Sequence, residues 1–149
     1  MLSKKAKYSL NALTYLARHY GEGPVLITDI STEENIPRKF LEAILLELKR
    51  NGILGSKMGK GGGYYLIKSP AQVNLADVIR IFDGAIGLLP CVTHRYYQPC
   101  DECHDEEACG IRSVLKEVRD VTVNALKERT LEQILIEEKK GKKKKKKSP

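Results

Sequence analysis

The residues from 36 to 66, IPRKFLEAILLELKRNGILGSKMGKGGGYYL, constrain the fold of this chain more than any other stretch. Pro37 suits the first turn of a helix, and Gly52 can close that helix in the left-handed conformation. Apolar side chains recur between them at helical spacing and predict a packing face: Phe40, Leu41, Ile44, Leu45 and Leu48. Charged side chains fall on the other side: Arg38, Lys39, Glu42, Lys49 and Arg50. We therefore predict an amphipathic helix with one face free to meet a partner.

Two short runs of strand-forming residues follow this helix. Ile53 and Leu54 form the first run and residues 64–67 form the second. Gly59 and the glycines at 61–63 permit a sharp reversal between the runs. A helix followed by a glycine-tipped hairpin indicates a winged helix-turn-helix, in which the second helix of the motif enters the major groove of DNA. Lys57 and Lys60 on the hairpin suit contacts with phosphate.

The rest of the chain predicts further helices and a long loop. We expect a first helix over residues 6–19, with five side chains facing the core: Tyr8, Leu13, Leu16, Ala17 and Tyr20. Thr28 is the expected N-cap of a short helix reaching Asn35, and Asn74 with Asp77 predicts another helix that ends at Gly84. Thr130 with Gln133 predicts a capping-box start for a last short helix to about Glu138. The predicted fold class is mainly α with a small β-hairpin wing. Residues 1–83 form the winged helix-turn-helix domain and residues 84–110 a cysteine-rich loop. Residues 111–138 form a long helix and a short terminal helix, and residues 139–149 a disordered lysine-rich tail.

Charge is distributed unevenly along the chain. The net charge is +7, but residues 139–149 hold eight lysines and no acid, so the remainder has 18 basic and 19 acidic residues. Residues 1–70 hold 11 basic and 6 acidic residues, and residues 71–138 hold 7 and 13. A basic front end suits a polyanionic partner at that end of the protein.

All four cysteines lie in one window, CVTHRYYQPCDECHDEEAC, at positions 91, 100, 103 and 109. Cys91, Cys100, Cys103 and Cys109 could hold an iron-sulfur cluster or zinc, although the spacing differs from the two close pairs of a zinc ribbon. The CxxCH motif at Cys100 also matches haem attachment, but that chemistry needs an export route for which we find no signal peptide. The neighbouring acids should raise the pKa values of the thiols, because negative charge disfavours the thiolate. A disulfide switch remains open as an alternative.

The sequence also bounds the location and the class of the protein. Neither a signal peptide nor a membrane-spanning segment is expected, so we predict a cytoplasmic protein with no membrane partner. The long helix after the loop carries an apolar stripe: Ile111, Val114, Leu115, Val118, Val121, Ala125 and Leu126. That stripe could form a dimer seam or pack on its own domain. Neither a nucleophile–base pair nor a phosphate-binding loop is found, so an enzyme is not expected.

The chain resembles the Rrf-two family of winged-helix regulators, which includes the iron-sulfur-cluster regulator, the nitric-oxide-sensitive repressor and the cysteine-metabolism repressor. The resemblance rests on FLEAILLELKRNGIL, GKGGGYYL, VNLADVIRIFDG, the cysteine-rich loop and TLEQIL. It covers residues 1 to about 138 and implies a homodimer, seamed by the long helix, that binds a double-stranded DNA operator. Three cysteines bind the cluster in such members, and the spacing of Cys103 and Cys109 matches their last two.

Several positions depart from the family pattern. Arg112 stands where the iron-sulfur-cluster regulator has a histidine, and Cys100 is an additional thiol that could supply a fourth ligand. Met58 replaces an arginine that enters the minor groove in related regulators. Glu42 matches a base-reading position, and Ala43 stands where a glutamine often follows it.

These observations lead to one function hypothesis and one alternative. The first is a sequence-specific transcriptional repressor controlled by an iron-sulfur cluster of two or four irons, or by cysteine redox state. The DNA-facing candidates are Thr28, Arg38, Lys39, Glu42, Lys57, Lys60, Gly61, Gly62 and Tyr64. The alternative is a protein-interaction module that binds a metabolic enzyme as its protein partner and holds no cluster. DNA binding predicts salt-dependent affinity even without the lysine tail.

Overall fold

The structure, a computed structural model, describes residues 2–147. Its elements in chain order are α1 (Lys4–Arg18), α2 (Ile27–Glu33), α3 (Arg38–Arg50), β1 (Leu54–Lys57), β2 (Gly63–Leu66), α4 (Leu75–Asp83), α5 (Gly110–Glu128) and α6 (Leu131–Lys147). Short 3₁₀ turns lie at Pro70–Gln72 and Pro90–Val92. The fold is therefore mainly helical with one two-stranded antiparallel sheet, as predicted.

The hydrophobic core joins α1 to the helix-turn-helix formed by α2 and α3. Helix α3 buries four side chains in it: Leu41, Ile44, Leu45 and Leu48. Phe40 was predicted on the same face, but it is 59% exposed, and its ring packs edge-on against the Tyr8 ring with the centroids 6.5 Å apart. Successive helix residues are about 100° apart, so Phe40 lies roughly 90° from the centre of the arc formed by the four buried side chains of α3. Those four side chains fill the core on this side without Phe40.

The ends of the first helices are set by local hydrogen bonds. Gly52 has φ +72° and follows α3, and the N–H groups of Gly52 and Ile53 donate to carbonyls of the last turn, which confirms the predicted stop. Helix α1 ends at Arg18, so Tyr20 lies beyond it and is about half exposed rather than in the core.

The predicted N-cap at Thr28 is wrong. Helix α2 already begins at Ile27, its N-cap residue is Leu26, and no side chain caps it. The reason lies one residue earlier, where Val25 exchanges both backbone hydrogen bonds with Tyr64 at 2.8 Å and keeps the chain extended up to Leu26. Thr28 is consequently an exposed residue of the first turn.

The wing is a hairpin fastened to the domain by this pairing. Strands β1 and β2 pair in the register Leu54 with Leu66 and Lys57 with Gly63. Val25 adds a third, single-residue strand beside Tyr64. An isolated two-stranded hairpin is marginally stable in water, so this attachment and the burial of Leu54 and Leu66 hold the wing against the body.

Two predicted helix starts are confirmed in the second half of the chain. The Asn74 side chain accepts from the Asp77 N–H at 3.0 Å and starts α4, which ends at Gly84 with φ +75°. Thr130 and Gln133 form the reciprocal bonds of a capping box at the start of α6. Leu131, the first residue of α6 and the neighbour of Thr130, is fully buried against the core.

Helix α6 is longer than the sequence predicted. We expected it to end near Glu138 and the lysine-rich tail to be disordered, but residues 139–147 continue the helix to Lys147. Lysine has a good helix propensity, the stretch lacks proline, and cations suit the C-terminal end of a helix. Ser148 and Pro149, the last residues of the predicted tail, lie outside the described residues.

Candidate DNA-binding surface and cysteine cavity

The exposed side of α3 carries the predicted base-reading residues. Arg38, Lys39 and Glu42 are all exposed on its first turns. The Arg38 Nε donates to the Glu42 Oε1 at 3.2 Å, one helical turn along. An exposed pair of this kind contributes little stability, so both side chains can exchange this contact for contacts with DNA.

Sequence reasoning gave too little weight to two apolar residues of the same surface. Ala43 and Leu46 are exposed beside the charged residues of α3, and Leu46 is 44% exposed. Small apolar side chains on a helix in the major groove contact thymine methyl groups. Helical spacing could have identified Ala43 and Leu46 as exposed, because both lie outside the arc formed by the buried residues of α3.

The end of β1 and the tip of the wing expose five consecutive residues, 57–61. Lys57, Lys60 and Gly61 are exposed as predicted, and Met58 is 94% exposed. The Lys49 Nζ donates to the Ser56 Oγ at 2.7 Å and so ties the end of α3 to β1. The basic tip therefore lies on a hairpin that is held to α3.

Two predicted DNA contacts serve the wing itself. Gly62 is buried, its N–H donates to the Gly59 carbonyl, and a Cβ placed on it would lie 2.2 Å from the Lys57 carbonyl oxygen. Its backbone N–H is thus already used inside the turn. Tyr64 is half-buried against the core and pairs through its backbone with Val25.

The four cysteines line one cavity of about 420 Å³ beside the start of α5. Cys91 is buried in the turn Pro90–Val92, Cys100 is exposed, and Cys103 and Cys109 are partly buried. Acidic side chains and one cation share the lining: Glu102, Asp105, Glu106 and Arg112. The folding of the loop therefore brings together thiols that are up to 18 positions apart in the sequence.

Two of the four thiols have pKa values above the ordinary value, for different reasons. The Cys100 thiol donates to the Glu102 Oε2 at 3.1 Å, and this hydrogen bond raises the pKa of Cys100. Loss of solvent contact, followed by the neighbouring Cys109, raises the pKa of Cys103. The predicted direction is confirmed for these two cysteines, which argues against an unusually reactive nucleophile at either.

The cavity is not arranged around a single ion. Within residues 2–147, no three histidine, cysteine or acidic side chains are gathered closely enough to hold one metal ion. Structural zinc needs four ligands at about 2.0–2.3 Å from one point. His104 lines the cavity, whereas the His94 Nε2 lies 3.3 Å from the Asp120 Oδ1, outside the lining.

Hydrogen bonds tie the cysteine loop to α5. The Cys109 Sγ caps α5 by accepting from the Arg112 N–H at 3.4 Å. The Arg112 Nε donates to the Cys91 carbonyl at 3.2 Å, and its Nη2 lies 3.5 Å from the Glu106 carboxylate. Arg119, two turns further along, donates to the Val92 carbonyl. Both ends of the loop are thus connected to this helix.

Helix α5 exposes most of the apolar stripe predicted from the sequence. Val123 is buried against the body, while the opposite side carries Ile111, Val114, Val118, Val121 and Ala125 in open solvent. These five residues, here called the α5 stripe, repeat at intervals of three and four positions, which is the spacing of a coiled-coil seam. Leu115 and Leu126, also predicted on the stripe, are only partly exposed at its side. An exposed apolar row of this length indicates an interaction surface.

Comparisons with known proteins agree with this geometry. Residues 2–137 match the model of the Rrf2 family, described as an iron-dependent transcriptional regulator. An HTH-type transcriptional regulator, rrf2-like, of Rhodobacter capsulatus is 45% identical over 121 residues, covering 79% of this chain and 81% of that protein. The structure of CymR, the global cysteine regulator of B. subtilis, superposes with a TM-score of 0.74 at 26% identity, covering 90% of this chain and 95% of that one. The structure of T. potens IscR gives a TM-score of 0.72 at 26% identity, covering 92% and 87%. No helix within residues 2–147 is both long and apolar enough to cross a membrane.

Proposed function

We propose that this chain, which belongs to the Rrf2 family of transcriptional regulators, acts as a homodimeric repressor whose operator affinity is set by an iron-sulfur cluster in the cysteine cavity. The observation that carries this proposal is the convergence of all four cysteines on one cavity at the first turn of α5. The match to the family model and the rrf2-like relative confirm the family resemblance seen in the sequence, together with its implication of DNA-binding regulation.

The donor set fits a cluster better than it fits a single ion. Clusters of two or four irons are held by four cysteine thiolates, and this cavity is lined by four. Its volume lies within the range of roughly 300–1,000 Å³ typical of sites for small molecules and cofactors. Bound there, a cluster would supply one-electron redox chemistry and sensitivity to oxidants. Cys100 is then the fourth ligand, in place of the histidine whose position Arg112 occupies.

Arg112 positions the cysteine loop and does not act as a ligand. Its guanidinium lies beside the cavity and holds both the Cys91 carbonyl and the Glu106 carboxylate. A cation at this place offsets the negative charge that four thiolates and the surrounding acids bring together. Arg112 therefore orients the loop and balances its charge.

The signal passes from the loop to the dimer through α5. Cys109 caps the helix, and Arg112 and Arg119 grip the two carbonyls at Cys91 and Val92. A change in the ligation or oxidation of the cysteines alters these bonds and moves α5 relative to the body. Because α5 forms the seam between two copies, this movement changes the angle between their recognition helices and shifts a two-state equilibrium.

The operator is read by two copies of one surface. Arg38, Lys39 and Glu42 meet base edges and flanking phosphates in the major groove, with apolar contacts from Ala43 and Leu46. Lys57, Lys60 and the Gly61 backbone approach the adjacent phosphate backbone, and Thr28 is a flanking phosphate donor. Two-fold symmetry then requires half-sites whose centres are about 34–36 Å apart, or a multiple of that distance.

The cluster is tested by the visible absorption spectrum and iron content of the protein purified without oxygen. We expect broad charge-transfer bands that disappear in Cys103→Ala and Cys100→Ala. The matched control is Asp101→Asn, an exposed loop position outside the cavity lining, which should keep the bands. Colourless, iron-free protein would overturn the cluster proposal and leave thiol oxidation as the signal. Unchanged bands in Cys100→Ala alone would remove Cys100 from the ligand set.

A further inference from the structure

The lysine-rich end of α6 is a strongly charged surface that the proposed function does not use. Residues 139–147, here called the lysine arm, contain eight lysines and no acid. All of them are helical and exposed. The family match ends at residue 137, so the lysine arm lies outside the part of the chain that matches the family model.

The base of the lysine arm is clamped to the helix-turn-helix. The Arg18 guanidinium donates to both Glu138 carboxylate oxygens, at 3.0 and 2.7 Å, and to the Glu34 Oε1 at 2.8 Å. Glu138 is the last residue before the lysine arm, and Glu34 is the C-cap residue that follows α2, directly before the turn into α3. Such a bidentate pair fixes the orientation of the two side chains as well as the distance between them. The arm therefore leaves the body from a fixed point beside the DNA-reading motif.

The charge of the lysine arm is largely uncompensated. Within the described residues only Lys140 of the arm forms an ion pair, with Glu137 at 2.7 Å. Like charges one helical turn apart destabilise a helix, so the row from Lys142 to Lys147 favours any partner that brings negative charge. Because lysines lie all around the helix, about three or four can face one partner at a time.

We propose that the lysine arm binds the phosphate backbone of the duplex that flanks the site read by α3 and the wing. This inference rests on the proposed function, because DNA held by α3 is the polyanion brought next to the arm. Nine helical residues span about 13 Å. One strand of B-DNA presents a phosphate every 3.4 Å or so along its axis, so an arm of this length passes about four phosphates. The count matches the three or four lysines that one side offers.

The test compares the full chain with a variant carrying glutamine at all six positions from Lys142 to Lys147. Glutamine has nearly the same helix propensity as lysine, so circular dichroism should be unchanged while the charge is lost. Affinity for a random-sequence duplex of about 30 base pairs, three helical turns, is measured by fluorescence anisotropy. A matched variant with arginine at the same six positions keeps the charge and should bind like the parent.

Loss of about three phosphate contacts should reduce the slope of log affinity against log salt by about 2.7. Between about 50 and 200 mM salt, the parent should therefore lose roughly 40 times more affinity than the glutamine variant. An unchanged slope in the glutamine variant would overturn the inference and leave the proposed function standing. Complete loss of salt-dependent binding in that variant would support the arm and show that the winged helix adds no sequence-independent contact with phosphate. Absence of salt-dependent binding by the parent chain would overturn the inference, but it would leave the proposed function standing, because a random-sequence duplex lacks the operator.

Discussion

Replacing Val121 with alanine should weaken the dimer and leave the protomer folded. Val121 lies on the α5 stripe and is 71% exposed in the single chain, on the side of α5 opposite the buried Val123. Little of its side chain contributes to the stability of the protomer. A stripe that forms the dimer seam buries this side chain twice, once from each copy.

The magnitude follows from the exposed fraction. Valine to alanine removes two carbons, which corresponds to about 1.6 kcal/mol when they are fully buried. Since 71% of the residue is exposed in the single chain, about 1.1 kcal/mol per copy is gained only on association. Two copies contribute about 2.2 kcal/mol, and the dissociation constant of the dimer should rise roughly 40-fold.

Sedimentation equilibrium measures this constant directly. Asn124→Ala is the control, because Asn124 is exposed on the same helix but lies about 90° from the centre of the stripe. Both variants should keep the circular dichroism and the melting temperature of the parent protomer. Equal dissociation constants for Val121→Ala and the parent, or a parent that stays monomeric at all concentrations, would refute the assignment of the α5 stripe to the dimer.

Two further predictions concern the wing. Gly63→Ala should destabilise the protein by several kcal/mol, because the added Cβ would lie 2.2 Å from a backbone carbonyl oxygen at φ +144°. Gly59→Ala, at φ +87° with open space around it, should cost about 1 kcal/mol, and equal melting temperatures of the two variants would contradict the tight packing at Gly63. Met58→Arg at the exposed wing tip should steepen the salt dependence of duplex binding by about 0.9 for one added phosphate contact. Met58→Gln should leave the dependence unchanged, and no difference between these variants would mean that the tip does not reach the DNA.

Local signals in the sequence located most of the helices. Gly52, Asn74 and the Thr130–Gln133 pair each form the predicted helix start or stop, because their effect depends on a few neighbouring residues. The family resemblance also rested on short local motifs. Predictions from such features hold in the folded protein because no tertiary contact competes with the local hydrogen bonds that define them.

The errors arose where distant contacts decide the structure. Thr28 lost its predicted capping role because Tyr64 pairs with Val25 and starts the helix earlier. Phe40 has a core-like side chain but lies at the margin of an arc already filled by four others. The partner of Val25 cannot be read from any pattern along the chain, because it depends on which segment packs beside it. Helical spacing gives the angular position of Phe40, but it does not say whether another element covers that side chain.

The cysteine cavity shows the same limit. Spacing in the sequence could establish that four thiols are near one another in the chain, and it left several chemistries open. The contacts of Arg112 and Arg119 with the carbonyls at Cys91 and Val92 became visible only in three dimensions. Those contacts connect the cavity to α5, and the proposed regulatory mechanism depends on that connection.

The pairing of Val25 with Tyr64 also bears on how such regulators diversify. It fixes the base of the wing to the segment just before α2, whereas the tip at residues 58–61 lies outside this pairing. Substitutions and length changes at the tip can therefore accumulate without moving the recognition helix. The same helix-turn-helix can thus carry different wing tips. New DNA preferences can evolve at the tip, where mutations carry little risk of unfolding the protein.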